Sequence, residues 1–164
     1  MQKLIRHTLP PVYDAGSRIL ILGTMPSPAS RAYGFYYGHP QNRFWRILSA
    51  VFDEPYPVSV EDKKKVCHVH GIALWDVLSV CSIDGASDAS IRDAEPNDIG
   101  LILRKAPGIR RIYTTGKKAA ELYKKLVQPA TDRSAAYLPS TSPANQGRWP
   151  FEKLLELYRK ELLK

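Results

Sequence analysis

Ile19-Leu20-Ile21-Leu22, the turn Gly23-Thr24-Met25-Pro26-Ser27, and the run Phe35-Tyr36-Tyr37-Gly38-His39-Pro40-Gln41-Asn42-Arg43-Phe44-Trp45 decide how this chain is read. A short continuous apolar run closed by Gly and Pro is the pattern of a strand buried on both faces. The second run packs aromatic rings, a histidine, an asparagine and an arginine between helix-breaking Gly and Pro residues. Aromatic faces, amide hydrogen bonds and a rigid backbone are what a pocket for a flat heterocycle needs.

The pattern repeats along the chain. Phe44, Trp45, Leu48 and Phe52 recur at helical spacing, so Gln41 to Phe52 reads as a helix behind Pro40. Ser59 to His70 reads as a second helix with Ser59 as N-cap. Gly71 to Leu78 is a second buried strand, and the polar stretch 82–96, with Asp84-Gly85-Ala86-Ser87, reads as a loop. A short helix spans Asn97 to Ala106 and a third strand Arg110 to Thr115. Gly116 opens a helix from Lys117 to Val127, and Ala135 to Leu138 is a fourth strand. The loop Pro139 to Asn145 and an amphipathic helix from Trp149 to Leu163 close the chain. Alternation of strand and helix predicts a three-layer α/β/α fold around a mainly parallel four-stranded sheet, as one domain over residues 1–164. Sites in such folds lie beyond the carboxyl ends of the strands. The Gly23–Ser27 turn and the Ser140–Asn145 loop both fall there.

Composition sets bounds. The net charge of +8 and pI near 9.5 point to a polyanionic partner, nucleic acid before membrane. No apolar run approaches the ~20 residues that cross a bilayer, and the N-terminus lacks a signal-peptide core, so a cytoplasmic protein is expected. Cys67 and Cys81 have no metal-site spacing and read as buried thiols. His68 and His70 lack further ligands nearby, so no metal and no cofactor is expected.

Three segments resemble one family. Gly23-Thr24-Met25-Pro26-Ser27 is similar to the first motif, Gly-x-x-Pro-Gly/Ser, of the uracil-DNA glycosylase superfamily. Ser140-Thr141-Ser142-Pro143-Ala144-Asn145 resembles its second motif. His39-Pro40-Gln41-Asn42-Arg43-Phe44-Trp45 is similar to the His-Pro-x-Asn-Arg-Phe-Trp run of the hypoxanthine and mismatch-specific branches. The resemblance implies a monomeric DNA base-excision enzyme that hydrolyses the glycosidic bond of a deaminated base, closest to hypoxanthine. It carries the essential asparagine over to Asn42 and the base-stacking aromatic to Tyr37. Met25 and Ser140 stand where uracil-removing branches carry water-activating or polar residues, so uracil-specific chemistry is not expected.

The residues support that reading. An amide oxygen at Asn42 can hold a water under the sugar, although it is too weakly basic to deprotonate it. The same residue could equally cap the helix it precedes. Gly23, Thr24, Met25, Pro26, Tyr37 and His39 are expected to form the base pocket. The turn backbone should face O6 and N1–H of hypoxanthine. Ser27, Ser140, Ser142, Asn145, Gln146, Lys117 and Arg148 are expected to meet DNA, with Asn145 or Gln146 filling the gap left by the extruded base. For the two serines a locally bonded turn is the plain alternative. Two competing functions remain: a uracil or mismatch-specific glycosylase, and a nucleic-acid-binding module that kept the pocket and lost turnover.

Overall fold

The computed structural model describes residues 1–164. Four strands form a parallel sheet in the order β3-β2-β6-β7: β2 is Ile19–Gly23, β3 Ile72–Asp76, β6 Arg111–Thr115 and β7 Ala136–Leu138. These are the four strands expected from the sequence. In register, Ile19 pairs with Ile72 and Gly23 with Asp76, so β2 and β3 end together at one edge of the sheet.

Alternation along β2 sends its side chains to opposite faces. Ile19 and Ile21 join a core with α2 (Phe44–Val51), α3 (Val60–Val69) and α7 (Phe151–Leu162). Leu20 and Leu22 join a second core with α4 (Ile99–Lys105) and the helical run from Lys117 to Thr131. That run is α5 (Lys117–Leu122), a π-turn at Tyr123–Val127, and α6 (Gln128–Thr131). Cys67 lies in the first core and Cys81 in the second, so the sheet separates them. Burial pushes the Cys67 thiol up to about 12.

Residues 82–96 are not a loop. They belong to a second, antiparallel sheet, β1-β4-β5, of Lys3–Arg6, Leu78–Asp84 and Ser87–Pro96. Strand β5 is exposed along most of its length and carries little apolar alternation, so its pairing with β4 sustains it. The ladder slips between Val80/Glu95 and Ser82/Arg92, where Asp93 adopts a left-handed backbone with φ 52°. The second helix is N-capped by the Ser59 hydroxyl, which accepts from the Asp62 N–H, as its sequence implied.

Helix α2 starts at Phe44, three residues later than its periodicity suggests. The Phe44 N–H donates to Asn42 Oδ1 at 2.9 Å, and the Asn42 N–H closes a turn on His39 O at 2.9 Å. A further short helix, α1 (Pro28–Tyr33), follows the first turn, with Ser27 as its N-cap.

Candidate active site

At the carboxyl edge of the parallel sheet a cavity of about 120 Å³ opens between the Gly23–Ser27 turn, the aromatic run and the Ser140 loop. Gly23, Thr24, Met25, Pro26, Ser27, Tyr37, Asn42 and Ser140 line it together, although they come from three separate parts of the chain.

Arg43 joins two of those parts. The residue is 1% exposed, and its guanidinium donates to the carbonyls of Thr141 at 3.3 Å, Ser142 at 3.1 Å and Trp149. Burial lowers its pKa, against the partial support of Tyr158. Arg43 therefore clamps the second-motif loop against the start of α2. The Asn42 amide is pinned through its oxygen, which accepts from the Phe44 N–H and, at 2.8 Å, from the buried Thr141 hydroxyl. Both lone pairs of the oxygen are then engaged, so the oxygen expected from the sequence to hold the water is taken by two protein donors, and the NH₂ is the part of the amide without a protein partner. Asn42 thus lines the cavity and, one residue ahead of the N-cap Arg43, closes a side-chain turn on the first residue of α2.

Tyr37 is held at φ 55°, a costly backbone for a bulky L-residue and one that clusters at functional sites. One face of its ring stacks on Phe44, with centroids 3.9 Å apart and planes 14° apart. Its hydroxyl is buried without a hydrogen-bond partner, the nearby Thr115 hydroxyl stopping short of bonding geometry. Burial raises its pKa and the Asp76 charge adds to that, so the hydroxyl stays protonated and available as a donor.

The other expected site residues lie around this cavity. His39 and Ser142 line an adjoining groove shared with Met25, Ser27 and Asn42. Lys117, Asn145 and Arg148 line a neighbouring cleft with Tyr137 and Ser140. Gln146 is exposed one residue beyond. The hydroxyls of Ser140 and Ser142 accept from the N–H groups of Ser142 and Ala144, the locally bonded arrangement, which leaves each hydroxyl proton free to donate. Asn145 closes the loop by donating to Ser140 O at 3.0 Å.

Several side chains of the site escaped the sequence reading, Ser30 and Thr115 in the cavity wall among them. Asp76 ends β3 inside the cavity; an acidic residue closing an apolar strand was the available signal. His7, one residue past β1, meets Asp76 Oδ2 through its Nε2 at 2.8 Å, and no local pattern announces that contact. Asp88, at the β4–β5 hairpin, borders both the cavity and the adjoining groove. Desolvation raises its pKa, with Lys118 pulling the other way.

The family model of the uracil DNA glycosylase superfamily matches residues 10–163. The chain belongs to that superfamily. Its similarity extends to two proteins named hypoxanthine DNA glycosylase. The one from Methanosarcina acetivorans is 36% identical over 87% of this chain and 90% of its own length. The one from Methanosarcina barkeri is 33% identical over 86% and 89%. A solution NMR structure from Methanosarcina acetivorans, described as a candidate uracil DNA glycosylase, superposes over the whole of both chains with a TM-score of 0.81 at 32% identity. The superfamily's parallel sheet and helical layers are those of this chain. No helix is long and apolar enough to cross a membrane.

Proposed function

We propose that this chain is a monofunctional DNA glycosylase that removes hypoxanthine from deoxyinosine and leaves an abasic site. The observation that carries the reading is the cavity in which the pinned Asn42 amide faces the Gly23–Ser27 turn. The similarity to two hypoxanthine DNA glycosylases supports the substrate. In the reaction, water oxygen bonds to C1′ as the C1′–N9 bond breaks. The bond's electron pair leaves with the purine, which takes up a proton, and the attacking water loses one. Asn42 positions that water through its free NH₂ while Phe44 and Thr141 hold the amide still, since placement outweighs basicity when the sugar is already close to an oxocarbenium ion. No lysine lines the cavity, so a Schiff-base step has no nucleophile there.

In this reading one domain works as a monomer in the cytoplasm without a cofactor. The cleft of Lys117, Asn145 and Arg148 and the groove of His39 and Ser142 meet the DNA backbone on either side of the extruded base. The test is a panel of duplex oligonucleotides carrying hypoxanthine, uracil, xanthine or adenine, followed by alkaline cleavage at abasic sites. Hypoxanthine excised fastest is the expected result. Uracil excised faster moves the chain to the uracil-removing alternative that the NMR relative's description favours. Excision of none leaves a binding module.

A further inference from the structure

The attacking water needs an acceptor as well as a donor. Its oxygen can accept from the Asn42 NH₂, but a proton must leave it as the bond to C1′ forms. The Asn42 oxygen cannot receive that proton, because the Phe44 N–H and the Thr141 hydroxyl occupy both lone pairs. Met25, in the first turn, carries no group that takes up a proton near neutral pH. Two carboxylates line the cavity, Asp76 and Asp88. Asp76 closes the floor with its side chain 6% exposed, is engaged by His7 Nε2 at 2.8 Å, and takes no part in the adjoining groove.

Asp88 differs on each count. Met25, Pro26, Ser27, Asn42 and Asp88 line both the cavity and the groove, so they surround the opening between the two. An extruded nucleotide turns about its backbone, which leaves the base inside, the phosphates outside and C1′ at such an opening. Asp88 makes no hydrogen bond or ion pair of its own; Lys118, whose charge acts on it, pairs with Glu121 at 3.7 Å. His39 faces it across the groove. The hairpin backbone is tied on either side of it. Ser90 Oγ accepts from the Asp84 N–H at 2.8 Å and donates to Ser87 O at 2.6 Å. Desolvation raises its pKa against the pull of Lys118, which strengthens it as a base. A negative charge beside a face that covers phosphates opposes binding, so its place at the opening calls for a chemical reason.

Resting on the glycosylase reading, we propose that Asp88 is a catalytic residue, the general base that takes the proton from the water held by Asn42. As the water oxygen bonds to C1′, the C1′–N9 electron pair leaves with the purine, which takes a proton from solvent. The water's proton passes to a carboxylate oxygen of Asp88 and returns to solvent after the product departs. The same negative charge faces the positive charge that develops on the sugar. Strand β5 thus supplies the water-activating group that the first turn, with Met25, does not hold.

The test is single-turnover excision from an inosine duplex by the natural protein, Asp88→Asn and Asp88→Ala. Both variants should be at least ~100-fold slower, the scale of general-base catalysis. Both should bind a duplex with a tetrahydrofuran abasic site at least as tightly as the natural protein, since a charge facing phosphates has gone. Sodium formate, exchanged for chloride at constant ionic strength, should restore Asp88→Ala at least ~10-fold and leave the natural protein unchanged. Asp88→Asn keeps the shape and guards against an Ala variant that disturbs the hairpin. A folded Asp88→Asn protein within about 3-fold of the natural rate overturns the proposal and leaves the glycosylase reading intact. A loss that formate fails to relieve, or that follows weaker binding to the abasic duplex, gives Asp88 a structural role and overturns it too. A natural protein that excises no base overturns the glycosylase reading, and this proposal with it.

Discussion

Replacing Asn42 with alanine separates its two duties. The variant removes the acceptor for the Phe44 N–H at 2.9 Å and for the Thr141 hydroxyl at 2.8 Å. Losing the acceptor for the Phe44 N–H costs about 1 kcal/mol, and a hydroxyl left unpaired at a site 1% exposed costs about 1–3 kcal/mol more. Against a typical stability of about 5–15 kcal/mol, the variant stays folded, with a urea midpoint visibly lowered. Excision should fall much further than stability does. Loss of one positioned catalytic polar group lowers the single-turnover rate at least ~100-fold, or about 2.7 kcal/mol of transition-state stabilisation. The assay is single-turnover cleavage of an inosine duplex with enzyme in excess, on protein whose folded fraction has been measured by circular dichroism in the same buffer. A folded Asn42→Ala protein that turns over at a near-normal rate refutes the assignment and moves the chemistry to another group in the cavity. Thr141→Val, which removes only the pin, should give a smaller loss than Asn42→Ala.

Affinity for DNA should fall steeply with salt, because a protein of net charge +8 displaces counterions as it covers phosphates. Three to five contacts give a log–log slope of roughly −3 to −4.5, and a slope near zero in a fluorescence-anisotropy titration sinks the polyanion reading. Gly23→Ala would put a methyl group 2.5 Å from Asp76 Oδ1, so the carboxylate must shift. Excision should drop about 10-fold or more while binding to an abasic duplex holds, and unchanged excision would show that the carboxylate's position is immaterial. Arg43→Met keeps comparable bulk but abandons three carbonyls, at a cost of about 2–4 kcal/mol. Hydrogen exchange should then rise in residues 139–149 ahead of the rest of the chain, and uniform protection there would contradict the clamp.

Local sequence was enough for the central sheet and for the segments that line the cavity. Strand β2 is apolar on both faces because helices cover both, and such a run, closed by Gly23 and Pro26, is legible without any partner. The aromatic run announced itself by residue type and the Ser140 loop by its place after a strand and its resemblance to the second motif, and the fold gathers them at one cavity. Tertiary structure decided what depends on distant partners. Strand β5 is nearly all exposed and exists through its ladder to β4, so no alternation marked it. Asn42 reads as a cap or as a cavity residue until the structure makes Arg43 the cap and shows the Asn42 oxygen held by Phe44 and the distant Thr141 while the NH₂ stays free. Arg43 looks like any basic residue ahead of a helix until its carbonyl partners appear. His7 meets Asp76 only because β1 pairs with β4 and the chain returns to the sheet's edge. Periodicity records which face of an element is buried; it carries no information about which distant side chain will meet that face, and here that information lies in the order of the strands.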